Sequence, residues 1–110
     1  MKVHIIKSKT IFDFCKGYNN AIKVFYDWLQ IINKVDWKTP KDILSTFGSA
    51  DLLGNGSERV VFNIGGNKYR MICSYYFGNN RTHLYINWIG THADYDAICK
   101  QSLQFTIQKY

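Results

Sequence analysis

The chain has 110 residues, of which 46% are hydrophobic and 16% aromatic, and its formal net charge at pH 7 is +6. This length and composition can close one hydrophobic core without a structural metal or disulfides, so they predict a single domain over residues 1–110 and exclude a mostly disordered chain. Residues 59–92 contain four cationic side chains and no Asp or Glu, which favours an anionic partner, although a solubilising basic surface would carry the same charge.

Helical periodicity dominates the first half of the chain. Residues 3–6 suit a short first strand, and residues 11–16 fit either a first helical turn or a separate short helix. From Ala21 the apolar residues recur every three or four positions, which marks an amphipathic helix. These residues are Val24, Phe25, Trp28, Leu29, Ile32 and Val35. Thr39 followed by Pro40 predicts the start of a short helix over residues 41–47 that ends at Gly48.

Alternating periodicity dominates the second half and predicts three strands joined by turns at residues 65–67 and 78–80. Three sets of apolar side chains are expected to face the core, one set from each strand. They are Val60, Phe62 and Ile64; Tyr69, Met71, Cys73, Tyr75 and Phe77; and Leu84, Ile86 and Trp88. In the third strand, Tyr85 and Asn87 are expected to face outward, because side chains alternate between the two faces of a sheet.

The C-terminal part of the chain begins with a helix signal. Thr91 and Asp94 have the spacing of a capping box, which predicts a short helix that starts there. Residues 101–110 alternate weakly between apolar and polar side chains and are expected to add an edge strand.

The three cysteines are odd in number and widely spaced, which predicts free thiols and no zinc site: Cys15, Cys73 and Cys99. The N-terminal residues lack the apolar core of a signal peptide, and the longest apolar stretch, residues 24–32, is interrupted by Asp27 and Gln30. We therefore expect neither export nor a membrane span, and a cytoplasmic location.

Two cations of the second strand could bind a phosphate. Alternation predicts Lys68 and Arg70 on the same strand face, about 7 Å apart. Such a pair can hold a scissile phosphate and stabilise the charge that develops on its oxygens. An ordinary solvated strand face would have the same pattern, so the pair alone leaves both interpretations open.

His92 and Tyr95 are expected one turn apart on one side of the C-terminal helix. The N-terminus of a helix attracts phosphate, and its partial positive charge favours neutral imidazole. Neutral imidazole can take a proton from a ribose 2′-hydroxyl, and a protonated partner can supply one to the leaving 5′-oxygen. A capping His and a core Tyr would explain the same residues. His4 and His83 have no partner spacing and are expected to be structural or exposed.

Two motifs resemble a known family. Residues 61–70 read V-F-N-I-G-G-N-K-Y-R, and residues 89–96 read I-G-T-H-A-D-Y-D. The pattern F-N-x-G-G-N-x-x-R followed by T-H-x-x-Y-D resembles the signature of the HigB family of type II toxins, which are relatives of RelE. The resemblance covers residues 59–98, and the N-terminal helices match in order and length rather than in residues.

The resemblance implies a RelE-like α+β fold, in which N-terminal helices pack on an antiparallel β-sheet with a short C-terminal helix. It also implies metal-independent cleavage of messenger RNA by 2′-hydroxyl attack, on the translating ribosome and without a cofactor. The implied partner is a HigA-like helix-turn-helix antitoxin that neutralises the toxin.

The resemblance also assigns site residues. Arg70 matches the strand arginine that contacts the phosphate, Tyr95 matches the C-terminal tyrosine of the RelE site, and His92 lies where RelE has an arginine. That difference leaves the identity of the general base open. Four further residues are expected to contact RNA: Asn67, Lys68, Arg81 and Thr91.

Two other functions fit the same residues. A non-catalytic RNA-binding or ribosome-binding module would use the same basic strand face and exposed aromatic side chains without cutting RNA. A basic protein that only pairs with an acidic protein partner would have no affinity for RNA. A cleavage assay separates the first from an interferase, and RNA binding in the absence of the partner separates the second.

Overall fold

Four helices and five strands form the fold, and the computed structural model describes all of residues 1–110. In chain order they are β1 (Lys2–Ile6), α1 (Lys9–Cys15), α2 (Ala21–Ile32), α3 (Pro40–Thr46), β2 (Asp51–Leu53), β3 (Arg59–Ile64), β4 (Tyr69–Phe77), β5 (Arg81–Thr91) and α4 (His92–Lys100). A short 3-10 helix follows at Leu103–Phe105. The predicted α+β class is confirmed.

The five strands form one sheet in the order β1-β5-β4-β3-β2. The antiparallel pairing of β3 with β4 and of β4 with β5 is as predicted; β2 also pairs antiparallel with β3, whereas β1 pairs parallel with β5. The sheet is therefore mixed. A parallel pair requires a long crossover connection, and the whole of the chain between β1 and β5 supplies it. The three-residue strand β2 was not predicted.

The helices α1 and α2 cover one face of the sheet and enclose the main core. Helix α2 buries Ala21, Phe25, Trp28 and Ile32, which recur on the apolar side predicted from the sequence. They pack with core residues of the strands, including Phe62 and Met71. The segment at residues 11–16 belongs to a separate helix, α1, as one of the two alternatives predicted.

Helix α3 begins where the Thr39-Pro40 signal predicts. The backbone N–H of Thr39 donates to the Asp42 carboxylate at 3.0 Å, which completes a capping box with proline at the start of the helix. The Trp37 indole N–H donates to Thr46 at 2.9 Å and ties the loop before α3 to its last turn.

A β-bulge in β5 changes which side chains reach the core. The register pairs Ile72 with Trp88 but Cys73 with Ile86, so Asn87 is an extra residue opposite β4. Beyond the bulge the faces exchange, and Trp88 packs with Val61 and Ile72 on the face opposite the main core. The prediction that Trp88 shares a face with Leu84 and Ile86 was therefore wrong.

Helix α4 and the C-terminal segment cover part of this second face. Tyr95 and Ile98 of α4 pack against the small cluster of Val61, Ile72 and Trp88. The predicted strand at residues 101–110 is absent, because side-chain and single backbone contacts hold this segment instead of a strand ladder. The Arg59 guanidinium donates to the carbonyls of Gln104 and Ile107 at 3.2 and 2.7 Å.

Arg59 is 8% exposed and is thus a structural residue, although it belongs to the acid-free stretch of the sequence. The backbone N–H of Lys109 donates to the Asn87 carbonyl at 2.8 Å, which joins the C-terminal segment to the bulge. Cys15, Cys73 and Cys99 are free thiols. None of the helices has the length and apolar character that a membrane span requires.

Candidate active site

The candidate site forms where three parts of the chain meet on the second face of the sheet. Arg70 lies at the start of β4 opposite Gly90 of β5, and the first turns of α4 lie beside it. The backbone N–H of His92 donates to the Lys68 carbonyl at 3.1 Å, so the turn between β3 and β4 adjoins the start of α4. Arg70, His92 and Tyr95 therefore belong to one region of the surface.

The start of α4 is fixed by local hydrogen bonds. Asp94 N–H donates to the Thr91 hydroxyl and Thr91 N–H donates to the Asp94 carboxylate, both at 3.2 Å. This capping box confirms the predicted helix start and puts His92 at the first helical position, with Tyr95 one turn later. The Thr91 hydroxyl serves as the cap, and its contact with RNA stays a prediction.

Arg70 is a cation without an anionic partner. Its Cζ lies 5.5 Å from the centroid of the Tyr95 ring, a cation-π arrangement. The ion pairs of the chain involve other residues, and the buried Nε of Arg70 has no hydrogen-bond partner. A guanidinium that is held against a ring and forms no ion pair with a carboxylate is available to a phosphate.

His92 contacts a carboxylate that the sequence analysis did not select. Its Nδ1 lies 3.1 Å from Oδ2 of Asp96, and the two side chains are 40% and 58% exposed. An acceptor beside Nδ1 favours the tautomer that carries its proton there, which leaves Nε2 free to accept a proton. The spacing of four residues on a predicted helix was the available signal for Asp96.

Tyr95 is partly buried beside Trp88, with the ring centroids 6.1 Å apart. Burial raises the pKa of the Tyr95 phenol far above its ordinary value, and the Cys99 thiol and the Asp51 carboxylate raise it further, against a smaller opposing effect of Arg70. At neutral pH the phenol keeps its proton. It can donate a hydrogen bond to an anion, but it cannot act as a general base.

The structure does not bring all the predicted RNA contacts to this site. Asn67 and Lys68 lie exposed in the turn before β4, so the prediction that Lys68 shares a strand face with Arg70 was wrong; β4 begins only at Tyr69. Arg81 begins β5 beside Lys2, at the other end of the sheet from Thr91. The contacts of Asn67, Lys68 and Arg81 with RNA stay predictions.

Two residues that support the site were not selected from the sequence. Trp88 packs on Tyr95, and Gly90 gives the indole room, since a Cβ at Gly90 would lie 2.5 Å from two ring atoms of Trp88. The bulge hides the position of Trp88 from a period of two. No group of three or more His, Cys, Asp or Glu side chains is arranged to hold a metal ion.

Known proteins resemble this chain over the same region. The family model described as the RelE-like toxic component of a toxin-antitoxin system, HigB_toxin, matches residues 21–98. The mRNA interferase HigB of Escherichia coli O6:H1 is 29% identical over 99 residues, which are 89% of this chain and 93% of that protein. The mRNA interferase toxin HigB of Escherichia coli strain K12 is 28% identical over 94 residues, 86% of this chain and 88% of that protein. The family match includes Arg70, His92 and Tyr95.

Proposed function

The chain belongs to the HigB family of RelE-like toxins, and we propose that it cleaves messenger RNA on the translating ribosome, without a metal ion, at a site formed by Arg70, His92 and Tyr95. As a toxin of a toxin-antitoxin system it has an antitoxin as its partner, and the proposed partner is a HigA-like helix-turn-helix protein. Because translating ribosomes are in the cytoplasm, we propose that the protein acts there.

The unpaired guanidinium of Arg70 is the observation that carries the proposal. It lies over the Tyr95 ring and has no carboxylate partner, so a phosphate can bind it without displacing another anion. Charge stabilisation on the phosphate oxygens is usually the largest catalytic contribution of such a site. In this proposal Arg70 supplies the positive charge that a metal ion supplies in other nucleases.

The chemical step follows from the neighbours of Arg70. Nε2 of His92 accepts the proton of the ribose 2′-hydroxyl, the 2′-oxygen forms a bond to phosphorus, and the bond from phosphorus to the 5′-oxygen breaks. The leaving 5′-oxygen takes a proton from water, and His92 then returns its proton to the solvent, so the products are a 2′,3′-cyclic phosphate and a 5′-hydroxyl. The Tyr95 hydroxyl, which keeps its proton at neutral pH, donates a hydrogen bond to the phosphate or to the leaving oxygen.

Growth and cleavage assays together test this function. Expression of the chain alone should stop bacterial growth, and co-expression of the neighbouring antitoxin gene should restore it. The purified protein should cut messenger RNA on programmed ribosomes in the presence of a chelator and leave 2′,3′-cyclic phosphate ends.

Variants of the same protein locate the activity. We expect Arg70→Ala to lower the cleavage rate on the order of 10²-fold, because one electrostatic contact to the reacting phosphate is lost. Lys41→Ala, which removes an exposed cation from α3, is the matched control and should cut at the wild-type rate. Binding to ribosomes without any cleavage would instead support the non-catalytic module.

A further inference from the structure

The second face of the sheet is only partly covered. Helix α4 and the C-terminal segment pack over the end of the sheet that contains Val61, Ile72 and Trp88. The other end carries a group of polar and aromatic side chains from three adjacent strands, here called the sheet platform: Lys2, His4, Tyr76, Arg81, His83 and Tyr85.

The strand register puts these residues in rows on one face. Lys2 is paired with Arg81, and His83 lies between His4 of β1 and Tyr76 of β4. Tyr85 belongs to the next row along β5, about 7 Å further on. Their neighbours along the strands, Val3, Ile5, Leu84 and Tyr75, pack toward the main core, so alternation directs the platform side chains to the opposite face.

Three aromatic rings of the platform lie against one another, and its two tyrosines are open to solvent while His83 is half-buried. The Tyr76 and His83 rings are 6.1 Å apart and nearly parallel, at 24°, and the His4 and His83 rings are 5.8 Å apart. Tyr76 is 65% exposed and Tyr85 is 40% exposed. Flat rings displayed on a rigid sheet are a surface on which unpaired bases can stack.

The charge of the platform suits an anionic chain. Lys2 and Arg81 are exposed and take part in no ion pair. The three strands β1, β4 and β5 contain no Asp or Glu; two carboxylates lie at the platform's margin, Glu58 beside Tyr76 and Asp36, which is paired with the amino terminus next to Lys2. Two cations at one end of a row of aromatic rings offer phosphate contacts next to base contacts.

We propose that the sheet platform binds single-stranded RNA, with bases stacked on Tyr76, His83 and Tyr85 and phosphates held by Lys2 and Arg81. Tyr76 and Arg70 lie on the same face of β4, six residues or about 20 Å apart. A strand on the platform can therefore extend to the candidate active site, several nucleotides away. The RNA's identity as the cleaved strand rests on the proposed function, whereas its binding does not.

The test measures binding of a 2′-O-methyl RNA oligomer of about 12 nucleotides, a length within the usual range of stacking sites. This probe lacks the attacking 2′-hydroxyl and stays intact. Tyr76→Ala and Tyr85→Ala should each weaken binding at least about fivefold through the loss of stacking. The control is Tyr26→Ala, which removes a ring of similar exposure, 55%, from α2 on the opposite side of the sheet and should leave binding unchanged.

Two further variants test the separate roles of ring and charge. Tyr76→Leu keeps apolar bulk without a π-face and should bind as weakly as Tyr76→Ala. Arg81→Gln should lower the slope of log K against log salt by about 0.7, the value for one phosphate contact with a single strand. Circular dichroism of each variant shows that the fold is retained.

The proposal is overturned if the tyrosine variants bind the oligomer like wild type, if Tyr26→Ala loses as much, or if Tyr76→Leu retains full binding. It is also overturned if the platform variants keep RNA affinity and lose only antitoxin binding, because the platform would then be a protein interface. If the wild-type chain binds the oligomer, the platform variants lose this binding, and the wild-type chain does not cut RNA, the result supports the platform and counts against the proposed cleavage.

Discussion

Tyr95 has two separable parts: a ring that packs in the site and a hydroxyl that is proposed to donate a hydrogen bond to the RNA. The ring lies between Trp88 and Arg70, and the hydroxyl has a pKa raised mainly by burial. Tyr95→Phe keeps the ring and removes only the donor, so we expect thermal stability close to wild type and cleavage slower by about tenfold or more, the cost of a lost hydrogen bond to a charged group. Cleavage on programmed ribosomes and thermal unfolding measure the two effects.

Tyr95→Ala is the comparison that separates these roles. It removes the ring from the cluster around Trp88 and should lower both stability and activity. If the Tyr95→Phe protein cuts at the full rate, the Tyr95 hydroxyl has no role in cleavage and the residue serves only in packing.

Asp96 is expected to position His92 rather than to touch RNA. The contact between His92 and Asp96 is 3.1 Å long but largely exposed, so solvent screens it and we expect Asp96→Asn to lower kcat by only about fivefold. His92→Ala should cost about 10²-fold or more, because a general base is lost. For Asp96→Asn, KM should stay unchanged, since the imidazole is misoriented while the phosphate contact of Arg70 persists.

A matched substitution controls for the loss of a surface carboxylate. Asp13→Asn breaks a similar exposed pair with Lys16 on α1 and should change neither kcat nor KM. Asp96→Glu should recover part of the lost kcat. A rise in KM with constant kcat for Asp96→Asn would show that the carboxylate affects RNA binding instead of the orientation of His92.

At the level of elements, local signals predicted the helices well. The apolar spacing of α2, the Thr39-Pro40 start of α3 and the capping box of α4 depend on residues a few positions apart, which the sequence displays directly. For the same reason the motifs that contain Arg70, His92 and Tyr95 could be selected from the sequence alone. Whether these three side chains carry out cleavage remains a prediction.

The errors lie where distant contacts decide the structure. The bulge at Asn87 is held by its side chain on Ser74 at 2.7 Å and by its carbonyl on Lys109, partners 13 and 22 residues away. No residue near Asn87 in the sequence indicates the bulge, so the alternating pattern predicts the wrong face for Trp88. The C-terminal segment was assigned to a strand because the anchoring contacts of Arg59 are equally remote.

The packing where β5 meets α4 requires that residue 90 has no side chain, as in Gly90. A Cβ there would meet the rigid Trp88 ring at 2.5 Å and the Asp94 Cβ at 3.2 Å. We therefore expect Gly90→Ala to displace the indole, lower the free energy of unfolding by about 1–3 kcal/mol, and reduce cleavage because Tyr95 packs on that ring. Urea unfolding and the ribosome cleavage assay measure these effects.

Gly48→Ala provides the matched control for this substitution. A Cβ at Gly48 would have no heavy atom within 4 Å, so its stability should equal or slightly exceed that of wild type. Equal stability of Gly90→Ala and Gly48→Ala would mean that Trp88 adjusts without cost and that Gly90 is not needed for the site.

At the scale of the whole molecule, one sheet separates two environments. The face under α1 and α2 holds the large apolar core, and the second face carries Arg70, the start of α4 and the sheet platform. The acidic residues lie outside β1, β3, β4 and β5, which leaves the central strands without negative charge. Arg70, Lys2 and Arg81 therefore lie on the second face in strands that contain no acidic residue.

Burial on both faces makes the molecule sensitive to alkali. It raises the pKa of five groups: Cys15, Cys73, Tyr75, Tyr95 and Tyr110. Each group therefore holds its proton more tightly in the folded chain than in the unfolded chain. Their contribution to stability is complete below the unfolded pKa values, about 8.5 for Cys and 10 for Tyr, and is lost as pH rises toward the folded values.

We therefore expect the free energy of unfolding in urea to stay nearly constant with respect to these groups from pH 7 to 8 and to fall steadily above about pH 8.5. Cys73 is fully buried and should dominate the first part of the fall, because its thiol ionises readily only in the unfolded chain. Cys73→Ala should lower stability at neutral pH through the lost volume, yet flatten the slope below about pH 10, where tyrosines take over. A wild-type stability that stays constant up to pH 10, or a slope unchanged in Cys73→Ala, would contradict this assignment.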